Sequence, residues 1–422
     1  MPNSTQKFNE DPAEDAAVLL LRIGLAVLAM AVPISMVLSR RALFILVPIG
    51  AGLLLVAGLL LSDRSLLRRL RTTLLSTAGL SGLGLLAWSA LSLVWSPVGI
   101  DAAERLAKIG GTLLLVIVTA AFLPERTRTS NLNLFPLGIV AAVAFTLATA
   151  LGAPGAFSFQ TDDSTLERAV VSLVVLVWPS LGALAIRDRW MAAGLIVVAV
   201  AVAAMAAWTS VALAALALGS LTFAIATIDP GRIGRLLGVI VAVLFLFAPA
   251  VPFGVGLLFK GLLALFGDRL PDLTTATETM RIWATIVVSE PVRLITGHGL
   301  DMATLAPLSG FLPPQTPKSL LFEIWYNFGV IGAVLAAVLS LSAFRIIGHL
   351  SPTVAPFVLA EFVAVLTIAF CGLDTTQLWW VTLLGVVALA FATVVRGQYR
   401  TSRPMARLEP SIAPLPRGQA TL

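Results

Sequence analysis

Long apolar runs alternate with short polar connections along most of the chain. Each run holds about 20 residues, the length that an α-helix needs to cross the hydrocarbon core of a bilayer. The pattern predicts about 12 spanning helices, at residues 17–38, 42–62, 74–95, 108–123, 135–152, 168–186, 190–207, 209–228, 236–258, 319–343, 352–371 and 375–394.

Composition excludes a soluble globular domain. The chain of 422 residues is 58% hydrophobic and 12% charged, and its mean hydropathy is +0.98. A soluble fold cannot hide that much apolar surface, whereas lipid can solvate it. We therefore predict an all-α, polytopic transmembrane bundle.

Arginine and lysine positions predict the orientation of the bundle, because cytoplasmic connections carry the excess of these residues. With the N-terminus in the cytoplasm, the cytoplasmic segments hold most of the arginines, and the formal charge of +6 reflects topology. We therefore expect no nucleic-acid partner. One pair disagrees with the alternation, since Arg40 and Arg41 fall in a short connection that should lie outside.

This orientation divides the chain into five parts. Residues 1–16 are predicted to form a polar, acidic cytoplasmic tail rather than a signal peptide. Residues 17–258 and 319–394 hold helices 1–9 and 10–12. Residues 259–318 form the one long loop outside the cytoplasm, with short helices and room for a site. Residues 395–422 form a basic, disordered cytoplasmic tail.

The long loop carries most of the residues with chemistry. "TTATETMRIWATIVVSEP" predicts a helix in which Glu278 and Arg281 are i,i+3 neighbours, a spacing equally typical of a solvated surface pair. "GHGLD" predicts a glycine turn around His298, which is either a hydrogen-bonding turn residue or a functional group titrating near neutrality.

A polar stripe follows where the next apolar helix begins. In "TPKSLLFEIWYNFGVIG", Lys318 and Ser319 lie at a predicted helix N-terminus, which favours an anion. Glu323 and Asn327 continue on one face near membrane depth, where ionisable groups are costly and usually functional. The alternative is that Glu323 pairs with Lys318 or packs against another helix. No spacing of His, Cys, Asp and Glu suggests a metal site, so we expect no metal and no cofactor.

Several stretches together resemble the O-antigen ligase and O-antigen polymerase family. The similar stretches are "SALSLVWSPVGIDAAERLAKIGGTLLL", "LERAVVSLVVLVWP", "ETMRIW…EPVRLITGHGLD…TPKSLLFEIWYNFGVIGA" and "DTTQLWW", in the family's order, over roughly residues 75–395. The resemblance implies a glycosyltransferase of the bacterial inner membrane. It would move a glycan from undecaprenyl diphosphate to lipid A core or to another glycan acceptor at the periplasmic face, in surface polysaccharide and lipopolysaccharide biosynthesis.

The resemblance also implies roles for individual residues. Arg281 matches the family's loop arginine and is expected to bind the diphosphate, with support from Lys318 and Arg293. Gly297 and Gly299 match the family's turn, and Gly329 and Gly332 match its helix-packing pair. Glu323 lies where the family has Gln or Glu.

Two departures affect the expected mechanism. Thr316-Pro317-Lys318-Ser319 replaces the family's His-Pro-His-Asn, and Val211 follows Ser210 where the family often has arginine. The remaining candidates for a catalytic base are Glu323, His298 and Asp301. Two alternatives to the glycosyltransferase stay open. One is a non-catalytic subunit that binds a polyprenyl-diphosphate glycan, and the other is a permease or flippase.

Overall fold

A computed structural model describes residues 12–61, 66–124, 129–152, 163–266, 271–371 and 377–397. Within these residues all regular secondary structure is helical, and there is no strand. Most of the predicted cytoplasmic tails, at residues 1–11 and 398–422, lies outside the described part.

Eight of the described helical segments are long and apolar enough to cross a membrane. They are Ala13–Leu38, Leu43–Leu60, Gly99–Phe122, Ser130–Ala150, Thr165–Ala185, Ala248–Leu265, Leu320–Gly348 and Leu378–Arg396. Four shorter apolar helices have 16 or 17 residues, about 25 Å of helix against a hydrocarbon core of about 30 Å. The chain is therefore a membrane protein by length and composition of its helices.

The helices follow one another with short connections. The helix that begins the described chain has a π-helical turn at Val27–Ala31 between its two halves. In chain order the α-helices are α1 (Pro12–Ala26), α2 (Val32–Leu38), α3 (Leu43–Leu60), α4 (Leu66–Leu74), α5 (Thr77–Ser92), α6 (Gly99–Phe122), α7 (Leu134–Ala150), α8 (Asp163–Ala185), α9 (Trp190–Ala206), α10 (Ser210–Ala226), α11 (Pro230–Leu246), α12 (Val251–Phe266), α13 (Pro271–Ser289), α14 (Arg293–Thr296), α15 (Met302–Leu308), α16 (Leu320–Gly348), α17 (Ala355–Phe370) and α18 (Leu378–Arg396).

The core of the bundle is built around α8. This helix is almost wholly buried and packs against α2, α7, α9, α17 and α18, with Trp178 completely enclosed. By contrast, only 11% of the most apolar window of α6 and 17% of that of α12 are buried inside the bundle. An apolar helix with so few buried residues fits a lipid environment.

The segment predicted as one helix at 236–258 is two helices. Helix α11 ends at Leu246, and α12 begins at Val251 after a 3₁₀ turn at Ala248–Ala250. Pro249 and Pro252 lie at this break, and proline removes a backbone donor and clashes with the preceding turn. The connection that carries the candidate site therefore begins near residue 247, and it includes helices α12 to α15.

Several connections meet at one end of the bundle. Trp325, near the start of α16, donates its indole N–H to the carbonyl oxygen of Phe245 at the end of α11, at 2.6 Å. Residues from the α2–α3 connection, the first turns of α6, α15 and the start of α18 line a common cavity there.

Candidate functional site

Helix α16 is broken at Gly329, and the break leaves backbone groups without helical partners. Gly329 has φ 60° and ψ −156°, inside an otherwise continuous helix. The carbonyl oxygen of Tyr326 accepts the backbone N–H of His298 at 2.8 Å, and that of Asn327 accepts the N–H of Gly299 at 3.0 Å. The glycine turn thus satisfies carbonyls that the break would leave unpaired.

The end of α5 joins the same cluster. Trp88 donates its indole N–H to the carbonyl oxygen of Phe328 at 3.0 Å. The N–H of Leu300 donates to Ser92 Oγ, and Ser96 Oγ donates to the carbonyl oxygen of Leu300, both at 3.1 Å. Three of the stretches that carry the family resemblance, around residues 89–97, 297–301 and 320–332, therefore meet in space.

The glycines make this close approach sterically possible. A Cβ on Gly297 would lie 2.2 Å from the carbonyl oxygen of Asn327, and one on Gly329 would lie 2.4 Å from that of Ile295. Gly297, with φ 74° and ψ −179°, also adopts a conformation that is essentially restricted to glycine. Gly299 has φ 105°.

Gly332 lies beyond the break in α16. A Cβ there would meet Phe328 Cβ at 2.3 Å, so Gly332 makes room for a residue of its own helix. It contributes to the shape of the break rather than to a surface between two helices.

His298 is held on both sides of its ring. Nδ1 lies 3.0 Å from the carbonyl oxygen of Tyr326, which can only accept, so Nδ1 carries a hydrogen. Nε2 lies 2.6 Å from the carboxylate of Glu290, and the ring stacks on Tyr326 at 3.9 Å. With both nitrogens engaged, His298 fixes the glycine turn, and it does not line either of the two cavities beside α15.

Helix α15 is anchored by two long-range contacts. Asp301, which precedes the helix with φ 72°, is 2% exposed and forms an ion pair with Arg105 of α6. Asn327 Oδ1 accepts the N–H of Ala303 at 2.7 Å, and so satisfies a donor of the first turn of α15 from another helix. Asp301 is therefore a paired structural acid, and Asn327 positions α15.

One cavity of about 260 Å³ lies between α15 and the start of α16. We call it the Glu323 cavity. Glu323 is only 3% exposed, whereas Lys318 is exposed and forms no ion pair among the described residues. The predicted alternative of a Glu323–Lys318 pair is thus absent. The lining residues are Ala303, Thr304, Pro307, Leu308, Pro314, Thr316, Pro317, Lys318 and Glu323.

The start of α16 differs slightly from the predicted helix N-terminus. Ser319 is the N-cap and Leu320 begins the helix, so Lys318 lies before the helix in a segment without regular secondary structure. The prolines before it explain this, since each fixes its own φ and restricts the residue before it. Lys318 therefore reaches the cavity from the proline-rich segment before α16 rather than from the helix itself.

A second, larger cavity of about 580 Å³ lies on the other side of α15. We call it the Arg41 cavity, and it shares Thr304 and Leu308 with the Glu323 cavity. Helix α15 therefore separates two neighbouring cavities at one end of the bundle. The lining residues are Arg41, Phe44, Asp101, Glu104, Arg105, Lys108, Thr304, Leu308, Gln377, Leu378 and Trp379.

Sequence reasoning did not assign Arg41, Arg105 and Lys108 to a site. A signal for Arg41 was present, because it is part of the pair that disagrees with the topological charge pattern. Its place in the cavity explains the exception, since a cation that faces a polar cavity is not a topology signal. For Arg105 the ion pair with Asp301 spans 196 residues of sequence, and no local pattern indicates it.

Arg281 lies away from the residues that line the two cavities. It is 68% exposed on α13, and its guanidinium donates to Glu278 from Nε at 3.0 Å and from Nη2 at 2.8 Å. These bonds lower the pKa of the Glu278 carboxyl and raise the pKa of Arg281. The alternative of a solvated surface pair describes this geometry, and the expected role of Arg281 in binding diphosphate gains no support from it.

Arg293 lines neither the Glu323 cavity nor the Arg41 cavity. It begins α14 and borders a narrow apolar groove together with His298, Glu290 and aromatic residues of α13 and α16. The enclosed space is about 20 Å³, about enough for one water molecule. Arg293 therefore does not share a cavity with Lys318 or Glu323.

The Glu323 cavity contains the groups that acid–base and phosphate chemistry need. Glu323 offers a buried carboxyl, and Lys318 offers an ammonium without an ion-pair partner among the described residues. Within the same part of the chain, no group of three or more His, Cys, Asp or Glu residues is arranged to hold a metal ion. An ammonium can bind an anion, and a carboxylate can accept a proton.

Comparisons with known proteins found no matching family model, no matching curated protein and no matching solved structure. The resemblance to O-antigen ligases and polymerases therefore remains a prediction that rests on the quoted stretches of sequence.

Proposed function

We propose that the chain is a glycosyltransferase of the O-antigen ligase or polymerase type. It takes a glycan from undecaprenyl diphosphate and passes it to lipid A core or to another glycan acceptor. The observation that carries the proposal is the Glu323 cavity, where a buried carboxyl and an ammonium with no ion pair in the described chain line one space. That space lies beside the cluster formed by three of the family-like stretches.

The topology belongs to the same proposal. Twelve helices cross the bacterial inner membrane, both termini are cytoplasmic, and the connection from α11 to α16 is periplasmic. Two features support it, the distribution of arginines and the meeting of residues 41, 105, 318 and 377 at one end of the bundle. In this arrangement α11 is the ninth span, and α12, although long and apolar enough to cross a membrane, stays on the periplasmic side.

The reaction requires one bond to form and one to break. An acceptor hydroxyl oxygen attacks the anomeric carbon of the lipid-linked sugar, and the bond from that carbon to the diphosphate oxygen breaks. Undecaprenyl diphosphate leaves with the electron pair, and the hydroxyl proton passes to a base. Glu323 is our candidate for that base, because its carboxyl lines the cavity and can accept a proton.

The leaving diphosphate carries the charge that the site must stabilise. Lys318 places a point charge beside the cavity. The proline-rich segment before it is stiff, which limits the backbone entropy that is lost when Lys318 binds an anion. Developing negative charge on the leaving oxygen is stabilised by such a preplaced cation. We therefore assign the main phosphate contact to Lys318 rather than to Arg281.

One observation favours a second candidate, a non-catalytic subunit that binds the same lipid-linked glycan. The family histidine is replaced by the Thr316–Ser319 stretch, and both ring nitrogens of His298 are engaged. A binding subunit needs Lys318 but does not need the Glu323 carboxyl as a base. The two candidates therefore differ in what Glu323→Gln does.

The test is complementation of a strain that lacks the gene. We expect the deletion to lose or shorten surface polysaccharide and the wild-type gene to restore it. Glu323→Gln, present at the wild-type level, should lower transfer by about 10²- to 10⁴-fold, the usual contribution of a general base. Lys318→Ala should also fail, and Lys318→Arg should partly restore the product.

The outcomes separate the candidates. Full polysaccharide with Glu323→Gln and none with Lys318→Ala would favour the binding subunit. Full polysaccharide with both variants would overturn the proposal. Core without attached glycan in the deletion strain indicates a ligase, and single repeats on core indicate a polymerase. Lipid-linked glycan that accumulates on the cytoplasmic side would indicate a flippase instead.

A further inference from the structure

The Arg41 cavity has a lining of both charge signs. Asp101 and Glu104 contribute carboxylates, and Arg41, Arg105 and Lys108 contribute cations. Gln377 adds an amide, and Phe44, which is more than a third exposed, adds an aromatic surface. This mixture differs from the Glu323 cavity, whose lining includes one cation and one acid.

Most of the cations in the Arg41 cavity already have a carboxylate partner. Lys108 Nζ lies 2.5 Å from Glu104 Oε1, and Arg105 pairs with Asp301. Arg41 forms no ion pair with any other described residue. A phosphate group entering here would gain the guanidinium of Arg41 but would also meet two carboxylates, which repel it.

A hydroxyl group fits this lining better than a phosphate. Each hydroxyl can donate to a carboxylate and accept from a guanidinium, ammonium or amide at the same time. A sugar carries several hydroxyls and an apolar face of C–H groups, which can lie against an aromatic ring such as Phe44. The volume of about 580 Å³ is within the range of about 300–1,000 Å³ that small-molecule sites occupy.

We infer that the Arg41 cavity binds the acceptor glycan through its hydroxyls, while the lipid-linked donor occupies the Glu323 cavity. The inference rests on the proposed function. Helix α15 is the common wall, and Thr304 and Leu308 face both cavities. The acceptor hydroxyl therefore reaches the donor at α15. Asn327 and the Arg105–Asp301 pair, which anchor α15, also set the separation of the two substrates.

Photocrosslinking in living cells tests the inference without knowing the glycan. The full-length protein carries p-benzoylphenylalanine either in place of Phe44, in the Arg41 cavity, or in place of Pro314, in the Glu323 cavity. A third version carries it at Leu59, an exposed position on α3 that lines neither cavity. After illumination, the protein is purified and the mass of each adduct is measured.

We expect the adduct at position 44 to contain glycan without polyprenyl diphosphate, and the adduct at position 314 to contain polyprenyl diphosphate. Position 59 should give phospholipid alone. Polyprenyl diphosphate at position 44, or glycan adducts at position 314 only, would overturn the inference while leaving the proposed function intact. Absence of glycan from both positions 44 and 314 would overturn both.

A variant and a matched control test whether a carboxylate of the Arg41 cavity binds the glycan. Asp101→Asn removes one carboxylate from the Arg41 cavity, and Asp101 is exposed, so the fold should persist. We expect the glycan adduct at position 44 to fall about tenfold, the effect of one lost charge-assisted hydrogen bond, with the adduct at position 314 unchanged.

The control is Asp188→Asn, between α8 and α9. Asp188 has φ 59°, which asparagine tolerates, and its Oδ1 accepts from Trp190 as an amide oxygen also can. This variant should leave both adducts unchanged. Equal adduct yields at position 44 from Asp101→Asn and wild type would contradict the assignment of the acceptor to this cavity.

Discussion

Replacement of Gly297 by alanine tests whether the glycine turn really docks into the broken helix. Gly297 has φ 74° and ψ −179°, and the new Cβ would lie 2.2 Å from the carbonyl oxygen of Asn327. Ordinary contacts of a Cβ begin near 3.4 Å, so turn and helix would have to separate by about 1 Å. Gly310 provides the control, because it has φ 78° but no atom lies within 4 Å of the position that its Cβ would take.

The expected cost has two parts. Strained backbone at a positive φ costs about 1–3 kcal/mol, and both variants bear it. Gly297→Ala also disrupts the bonds from the His298 and Gly299 N–H groups to α16, at about 1 kcal/mol each. We therefore expect Gly297→Ala to lower the free energy of unfolding by about 3–5 kcal/mol and Gly310→Ala by about 1–3 kcal/mol.

The assay is a titration of the purified protein from mild detergent into a denaturing detergent, followed by helical circular dichroism. Each variant is compared with wild type at equal protein concentration. If Gly297→Ala and Gly310→Ala shift the transition by the same amount, the close approach of the turn to α16 is wrong. The clustering of the three family-like stretches would then lose its structural basis.

Three further predictions concern single side chains. Lys318→Ala should reduce polysaccharide far more than Arg281→Ala, because Arg281 is exposed and bonded to Glu278; equal losses in complemented cells would contradict this. Asn327→Ala should speed amide hydrogen exchange in α15 and cost about 0.5–2 kcal/mol, as loss of a helix cap does; unchanged exchange in 302–308 would refute it. Glu361 is 1% exposed and neither carboxyl oxygen has a hydrogen bond in the described chain, so Glu361→Gln should not lower the free energy of unfolding in the same titration. A loss above about 1 kcal/mol would indicate a partner for that carboxyl.

The sequence was most informative where apolar runs are long and uninterrupted. The run at 42–62 contains the helix Leu43–Leu60, because its residues are predominantly apolar and its single internal proline, Pro48, does not interrupt it. The run at 236–258 is equally apolar, but its two prolines, Pro249 and Pro252, break it. Hydropathy measures transfer to lipid and is insensitive to a missing backbone donor. The hydropathy pattern therefore predicted one helix where the structure has two.

Local patterns also indicated the turn at 297–301 but not its partners. Glycines on both sides of His298 suggested a tight turn, and positive φ at Gly297 and Gly299 agrees with that geometry. The pairing of Asp301 with Arg105 depends on how α6 and α15 pack, which no short stretch of sequence specifies. For the same reason the cations of the Arg41 cavity were not recognised as one group.

Transfer by the purified protein tests the central claim most directly. Wild-type protein in lipid nanodiscs is mixed with the lipid extract of the deletion strain, and released undecaprenyl diphosphate is measured over time. We predict release by wild type and a reduction of about 10²-fold or more with Glu323→Gln. No release by wild type, or equal release by wild type and Glu323→Gln, would contradict the account.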